Sequence, residues 1–258
     1  MLKQIKHFWT WRHLAWALTI YSIRSEKRSN MLGELWHVIN PIIQMCIFYF
    51  MVEIVFRRSI EGFPLFFLCG FMVYQFITKA ISAGPALFVV NAGMIKTSAF
   101  PRIVVVGPVV FRGLYEMGIQ LMLLIGLMWL FGVWPNEHLF YFPFFMMVTI
   151  LGSVGVVMLL SVLGARVRDL TNITQHVNRL LFYLSPVMYS ASFIPERFRD
   201  VYFMNPVSIS VEISRYCLIG EDGVAFWQAA YYSTVCVSLF VIGLYFFTKH
   251  EWQVSKYV

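Results

Sequence analysis

Apolar residues along this chain are gathered into six long stretches, separated by short polar connections. A helix needs about 20 predominantly apolar residues to cross the hydrocarbon core of a bilayer. The pattern therefore predicts an all-α polytopic membrane protein with six transmembrane helices. We place them in one domain that occupies residues 1–258, with spans at 39–56, 63–90, 103–131, 139–165, 173–190 and 227–248.

The composition supports this class. Of the 258 residues, 59% are hydrophobic and only 13% are charged, whereas soluble domains average about 25% charged residues. An ordinary soluble enzyme, a disordered chain and a coiled coil are all excluded by these values. The four cysteines lack the spacing of metal ligands, so neither a zinc site nor a disulfide scaffold is expected.

The basic residues give the predicted orientation. Cytoplasmic loops of membrane proteins carry an excess of Lys and Arg. With both termini inside, the inner segments are strongly basic and the outer segments carry more acidic than basic residues. The basic residues counted as cytoplasmic are Lys3, Lys6, Arg12, Arg24, Lys27, Arg28, Lys96, Arg102, Arg166, Arg168, Arg179, Lys249 and Lys256.

Two segments outside the spans also show a residue pattern that predicts helices. Residues 1–38 mix tryptophans with basic residues, which predicts an amphipathic helix at the cytoplasmic membrane interface; a disordered basic tail is the alternative. Residues 194–222 contain Pro195 and then Asn205-Pro206 before an apolar run. We expect two short re-entrant helices here, with a plain structured lid as the alternative.

Besides Arg179, counted above with the cytoplasmic charges, four charged residues lie within the predicted spans: Glu53, Lys79, Arg112 and Glu116. A charge at the bilayer centre costs about 3 kcal/mol on insertion scales. Arg112 and Glu116 are four residues apart and share a helix face, so they can form an intrahelical pair. Lys79 can pair with Glu53 or Glu116, or extend to the interface. The functional alternative is that these groups line a polar path for a charged substrate.

The spans are rich in aromatic residues, whose faces can stack on sugar rings; packing or contact with lipid is the alternative role. The candidate conduit residues combine tyrosines with intramembrane charges: Tyr49, Tyr74, Lys79, Arg112, Glu116, Tyr183 and Tyr189. No catalytic residues are predicted, because the chain has no Gly-x-Ser-x-Gly, no His-Glu-x-x-His and no phosphate-binding loop. Any work done by this protein must draw its energy from elsewhere.

Three runs resemble the permease subunit of ABC type-2 exporters of cell-surface polysaccharides. The run RSEKRSNMLGELWHVINP (24–41) is similar to the family's basic stretch, Leu-Gly-x-x-Trp and proline before the first span. NAGMIKTSAFPR (91–102) resembles the family's cytoplasmic loop between spans two and three. Arg168-Asp169, Ser185-Pro186, Ile194-Pro195 and Asn205-Pro206 follow in the family's order. Within the family, the capsular polysaccharide permeases look most similar, with O-antigen and teichoic acid exporters as neighbours.

The resemblance implies roles for particular residues. The loop 91–102 would form a coupling element against a separate ATPase, with a second contact after span four; these residues are Asn91, Lys96, Phe100, Pro101, Arg102, Arg168 and Asp169. A lateral portal for the substrate lipid phosphate would involve Arg24, Lys27, Arg28 and Trp36. A periplasmic gate would include Pro195, Asn205, Pro206, Glu212 and Arg215.

It also implies an assembly. The permease would form a homodimer with two copies of a nucleotide-binding subunit, in the bacterial inner membrane with both termini cytoplasmic. ATP and Mg²⁺ would be bound by that subunit and no cofactor or metal by this chain. Lipid-linked polysaccharide would be the substrate, with periplasmic co-polymerase and outer-membrane export proteins as further partners. No nucleic-acid partner is expected. The alternatives are an exporter of drugs or small lipids, and a membrane-embedded glycan-modifying enzyme.

Overall fold

The computed structural model describes residues 9–29, 32–98, 100–135, 137–167, 169–221 and 224–254, with the side chains of 26–29 and 252–254 left undescribed. All regular structure in these residues is helical, and no strand occurs among them. The α-helices are α1 (Arg12–Ser29), α2 (Trp36–Tyr49), α3 (Phe63–Val90), α4 (Ala92–Thr97), α5 (Val106–Phe131), α6 (Phe142–Gly164), α7 (Leu170–Tyr183), α8 (Glu196–Tyr202), α9 (Pro206–Ile219) and α10 (Phe226–Val254).

Short segments of other helix types extend several of these elements. A 3₁₀ turn precedes α2 at Gly33–Leu35, and a π-helical segment, Phe50–Val55, follows it. Further 3₁₀ turns lie at Arg102–Val105, Glu137–Tyr141 and Ala191–Phe193. Extended in this way, five helices in the described residues are long and apolar enough to cross a membrane: Gly33–Val55, Phe63–Val90, Arg102–Phe131, Glu137–Gly164 and Phe226–Glu251.

The predicted span at 173–190 is not among these five. In its place α7 has only 14 residues, a length of about 21 Å at 1.5 Å per residue. The hydrocarbon core is about 30 Å thick. The chain turns at residues 184–189 instead of continuing as a helix. Five continuous membrane-capable helices are therefore confirmed in the described residues, and a sixth is not.

Helix α3 is the centre of the fold. It is the most buried of the five membrane-capable helices, and it contacts α5, α6, α7 and α9. Helix α6, which packs on α3, also packs along the length of α10. By contrast, only 11% of the apolar stretch in Gly33–Val55 is buried. The chain therefore has a well-packed body of α3, α6, α9 and α10 and a sparsely packed flank at α2.

Glycines allow the closest contacts in this body. A Cβ atom on Gly243 of α10 would lie 2.2 Å from the carbonyl oxygen of Gly155 of α6. A Cβ atom on Gly164 would lie 2.3 Å from the carbonyl oxygen of Pro85 of α3. Both distances are below van der Waals contact, so any side chain at these positions would force the helices apart. Small residues at helix interfaces let backbones meet in this way.

Helices also form at both predicted segments outside the spans. Helix α1 occupies the middle of residues 1–38 and packs on α5, where Trp16 and Phe111 meet edge to face with ring centroids 6.0 Å apart. In the segment 194–222, residues 203–205 separate α8 from α9, as the Asn205-Pro206 pair predicts. The Asn205 side chain caps α9 by accepting a hydrogen bond from the Val207 N–H at 3.0 Å.

Candidate functional site

An ion cluster joins α3 and α5. Glu116 accepts a hydrogen bond from Arg112 Nε at 3.0 Å and a second, short one from Lys79 Nζ. The Glu116 side chain is 5% exposed, whereas those of Lys79 and Arg112 are 41% and 38% exposed. The expected intrahelical pair is confirmed, and Lys79 pairs with Glu116 and not with Glu53. Two partly exposed cations thus share one buried carboxylate.

This cluster continues into neighbouring polar contacts. One helical turn further along, Gln120 donates a short hydrogen bond to Gln75 across the same helix pair. On the other side the Tyr115 hydroxyl donates to Glu34, before α2. A small pocket lies between these groups, lined by Glu34, His37, Arg112, Tyr115 and Glu116. The start of the first membrane-capable helix is therefore attached to α5 at the level of the ion cluster.

Helix α7 has three distinct sides. Its buried side, formed by Thr174, Asn178 and Leu181, faces α3 and α2. An exposed apolar side carries Ile173, Val177, Leu180 and Leu184. A second exposed side, which we call the polar stripe, carries Asn172, Gln175, His176, Arg179 and Tyr183. Four of its members recur at i, i+4, i+7 and i+11, the spacing of one helix face.

Hydrogen bonds fix α7 against the middle of α3. The Asn178 side-chain amide donates to the Thr78 carbonyl oxygen at 3.0 Å and to Ser82 Oγ at 2.7 Å. The Tyr74 hydroxyl donates to the Asn178 carbonyl oxygen at 2.7 Å. Tyr74 itself is buried, so this conduit candidate forms part of the junction between α3 and α7.

The remaining conduit candidates lie at separate places. Tyr49 is exposed on α2 and its ring meets Phe63 edge to face, with centroids 5.8 Å apart. Tyr183 is an exposed member of the polar stripe. The Tyr189 hydroxyl donates to the Tyr183 carbonyl oxygen at 3.0 Å and accepts from the Tyr202 hydroxyl at 3.3 Å. Burial, and then the Tyr189 hydrogen bond, raise the pKa of Tyr202 above its ordinary value.

Among the gate candidates, Arg215 is fully buried in α9. Its three nitrogens each donate: Nε to the Phe66 carbonyl oxygen at 3.1 Å, one terminal nitrogen to Glu212 at 3.1 Å, and the other to the Val187 carbonyl oxygen at 3.1 Å. Arg215 therefore connects α9 with the N-terminal part of α3 and with the turn after α7. The ion pair between Arg215 and Glu212 could be predicted from their spacing of three residues on one helix. The hydrogen bonds from Arg215 to the two carbonyl oxygens could not.

The other gate candidates lie beside this connection. The Asn205 side-chain amide donates to Ser185 Oγ at 3.0 Å, so the cap of α9 also binds the turn after α7. Pro206 opens α9, and exposed Pro195 precedes α8. All five gate candidates thus lie on or beside α8 and α9.

The coupling candidates form a compact segment at one end of α3. The Asn91 amide donates to the Leu87 carbonyl oxygen at 2.7 Å, at the junction with α4. Ile95 of α4 is buried in a cluster with Phe88 and Val105, and Phe100 packs against that cluster. Lys96 is exposed. Pro101 precedes the 3₁₀ turn that Arg102 begins.

The structure describes only some of the remaining coupling and portal candidates. Asp169 is exposed just before α7, while Arg168 lies outside the described residues. Of the portal candidates, Arg24 is exposed on α1 and Trp36 is 38% exposed at the start of α2. The side chains of Lys27 and Arg28 lie outside the described part of the chain.

Five membrane-capable helices, polar contacts between them and the mostly buried short helix α9 define a multi-pass membrane protein. The sequence model of the ABC-2 type transporter family matches residues 13–219. This match covers most of the chain, which therefore belongs to the ABC-2 type transporter family.

Three relatives extend over most of the chain. The O-antigen export system permease protein RfbA of Klebsiella pneumoniae is 25% identical over 242 residues, 93% of this chain and 92% of the relative. The protein of that name from Myxococcus xanthus is 24% identical over 198 residues, 76% of this chain and 75% of its own. The polysialic acid transport protein KpsM of Escherichia coli is 26% identical over 253 residues, 91% and 92% of the two chains.

Proposed function

We propose that this chain is the permease subunit of an ATP-driven exporter that moves a lipid-linked polysaccharide across the bacterial inner membrane. The observation that carries the proposal is the polar stripe of α7 in a chain of the ABC-2 type transporter family. Polar side chains facing lipid are costly. A second copy placed against the sparsely packed flank would enclose the stripe in a water-filled path between the two copies.

The position of α7 supports a sixth crossing. Asn178 is bound to the middle of α3, and Val187 is bound through Arg215 to the level of Phe66, near the outer end of α3. Leu170 lies about 12 Å below Asn178 along the helix. Helix α7 and the turn after it thus extend over most of the length of α3. A sixth crossing made partly of non-helical chain leaves both termini on the cytoplasmic side. Such chain is tolerated where protein buries it.

The same alignment supports re-entrant helices in the outer region. Val211 of α9 lies against Gly70 of α3, whereas Arg215, one turn later, donates to the carbonyl oxygen of Phe66, one turn nearer the start of α3, at 3.1 Å. The N-terminal end of α9 is therefore the deeper one. We propose that α8 and α9 close the outer end of the path as a gate.

The energy source would be a separate nucleotide-binding subunit that contacts the segment 91–102. Helix α4 follows α3 after the single residue Asn91, and its Lys96 is exposed for such a contact. Asp169 supplies a second exposed contact before α7. In this assembly two permease copies bind two ATPase copies, which bind ATP and Mg²⁺.

Both glycan classes named by the relatives fit this proposal. RfbA proteins are named for O-antigen export and KpsM proteins for polysialic acid transport, and the identities are similar. Capsular polysaccharide, expected from the sequence motifs, stays a prediction beside O-antigen. Periplasmic co-polymerase and outer-membrane export partners belong to the capsular alternative.

The direct test is to co-purify this chain in lipid with the ATPase encoded beside it. ATP turnover is then measured with a lipid-linked glycan and with the same lipid anchor without glycan. We expect a two-plus-two complex whose turnover rises only with the glycan. Equal stimulation by the bare anchor would favour a small-lipid exporter. Absence of a complex, or glycan turnover by the purified chain alone, would contradict the proposal.

A further inference from the structure

Arg179 occupies an unusual position on α7. It belongs to the polar stripe, its side chain is exposed, and no described residue forms an ion pair or hydrogen bond with it. Its neighbour Asn178 is bound to Thr78 and Ser82, near the middle of α3. From the sequence, Arg179 was expected among the cytoplasmic charges. The structure instead attaches this part of α7 to the centre of the most buried membrane-capable helix.

No acidic side chain in the described residues forms an ion pair with Arg179. Glu116 and Glu34 lie in membrane-capable helices at this level: Glu116 is 5% exposed and bound to Lys79 and Arg112, and Glu34 accepts a hydrogen bond from Tyr115. Glu212, outside these helices, is bound to Arg215. The carboxylates that lie at the depth of Arg179 in its own copy are therefore already bound to other groups.

A cation facing lipid at mid-depth is strongly disfavoured, so Arg179 must face water or a bound anion. Arginine presents a planar fork of donors that matches carboxylate and phosphate oxygens. We infer that Arg179 is an anion-binding residue of the export path, taking carboxylate groups of the polymer or the phosphate of its lipid anchor. This inference rests on the proposed function and gives the cargo a chemical class: it is anionic where it passes α7.

Thiol labelling tests the environment of Arg179. Arg179→Cys and Leu180→Cys are each made with Cys46→Ser, because Cys46 is exposed, and treated in membranes with a negatively charged, membrane-impermeant methanethiosulfonate. Leu180 is the matched control, since it is the next residue and is 60% exposed on the apolar side. We expect labelling of the first variant at least about tenfold faster than of the second. Equal rates would overturn the inference.

A functional test uses the complex with the ATPase. Two polymers on the same lipid phosphate are compared, a uronic acid homopolymer and a neutral mannose homopolymer. For Arg179→Gln we expect the concentration for half-maximal stimulation by the acidic polymer to rise about tenfold, the loss of one charge-assisted hydrogen bond. Arg179→Lys should recover most of this. Leu180→Ala, on the exposed apolar side of the same helix, controls for local damage.

The two anion sources give different patterns. If the polymer carboxylates bind Arg179, only the acidic polymer loses affinity in Arg179→Gln; if the lipid phosphate binds, both polymers lose it equally. Either pattern supports the inference. Unchanged stimulation by both polymers would overturn it while leaving the proposed function intact. A wild-type complex that neither polymer stimulates would instead overturn the proposed function.

Discussion

The guanidinium carbon of Arg215 lies 3.4 Å from the centre of the Phe66 ring, and Nε of the same side chain donates to the Phe66 carbonyl oxygen. One side chain of α9 thus binds both the ring and the backbone of a single residue of α3. The contact is fully buried. Charge in such a place is tolerated only when every donor has a partner.

Arg215→Gln should destabilise the protein strongly. The change leaves the carboxylate of Glu212 without its buried cation and removes donors from the Phe66 and Val187 carbonyl oxygens. Breaking one side of a buried ion pair costs about 3–5 kcal/mol. We expect a clear fall in the midpoint of thermal unfolding in detergent. The control is Arg197→Gln, since Arg197 is exposed and contacts only the Phe198 ring in the described structure. Equal stability of the two variants would contradict the assignment.

Glu116 and Lys79 should be coupled energetically. Glu116→Gln leaves Lys79 and Arg112 without their shared carboxylate between α3 and α5. Lys79→Gln added to it removes one of these cations. We therefore expect the double variant to be more stable than Glu116→Gln alone, with a coupling of about 0.5–3 kcal/mol. Unfolding of all four members of the cycle in the same detergent measures it, and strict additivity would contradict the pairing.

The close contact of Gly243 with Gly155 should make Gly243→Ala destabilising. Alanine is the better helix former by about 1 kcal/mol, but here its Cβ atom would overlap the backbone of α6, and overpacking costs about 1–3 kcal/mol. Gly118→Ala is the matched control, because nothing lies within 4 Å of a Cβ atom there. Thermal unfolding should show a fall for the first variant and none for the second. The opposite order would exclude the backbone contact.

Lys96→Glu should separate ATP hydrolysis from export. Lys96 is exposed on α4, so reversing its charge leaves the packing around Ile95 in place. Arg102 is partly buried, so the same change there would also disturb packing. We expect unchanged membrane insertion, with glycan-stimulated ATP turnover and export reduced about tenfold or more. Lys249→Glu, an exposed cation at the end of α10, provides the control. Normal export in Lys96→Glu would argue against a coupling role for α4.

Sequence periodicity predicted long helices well and the short ones poorly. Helix α3 has both a long apolar run and a proline at its start, so its extent could be read directly. The span at 173–190 was assigned from its apolar content. The regular spacing of Asn172, His176 and Arg179 was already visible there and indicates an amphipathic helix. That periodic signal predicts the helix with one polar side that α7 forms.

The ion pairs show where spacing stops being informative. Arg112 and Glu116 could be paired from their separation of four residues on one helix. Lys79 had two possible partners, because the choice depends on how α3 packs against its neighbours. The contacts of Arg215 with backbone carbonyls could not be predicted at all, since backbone oxygens carry no sequence signal. Long-range contacts made through the backbone are set by the fold as a whole.

The glycine contacts divide the molecule mechanically. Where Gly155 meets Gly243 and Gly164 meets Pro85, backbone lies against backbone, so α3, α6 and α10 cannot slide past one another without first separating. Helix α7 is held to α3 through side-chain hydrogen bonds of Asn178 and Tyr74, which can be exchanged for other partners. We therefore expect α3, α6 and α10 to move as one rigid body. Helix α7 and the loosely packed α2 are then the parts that can shift against it.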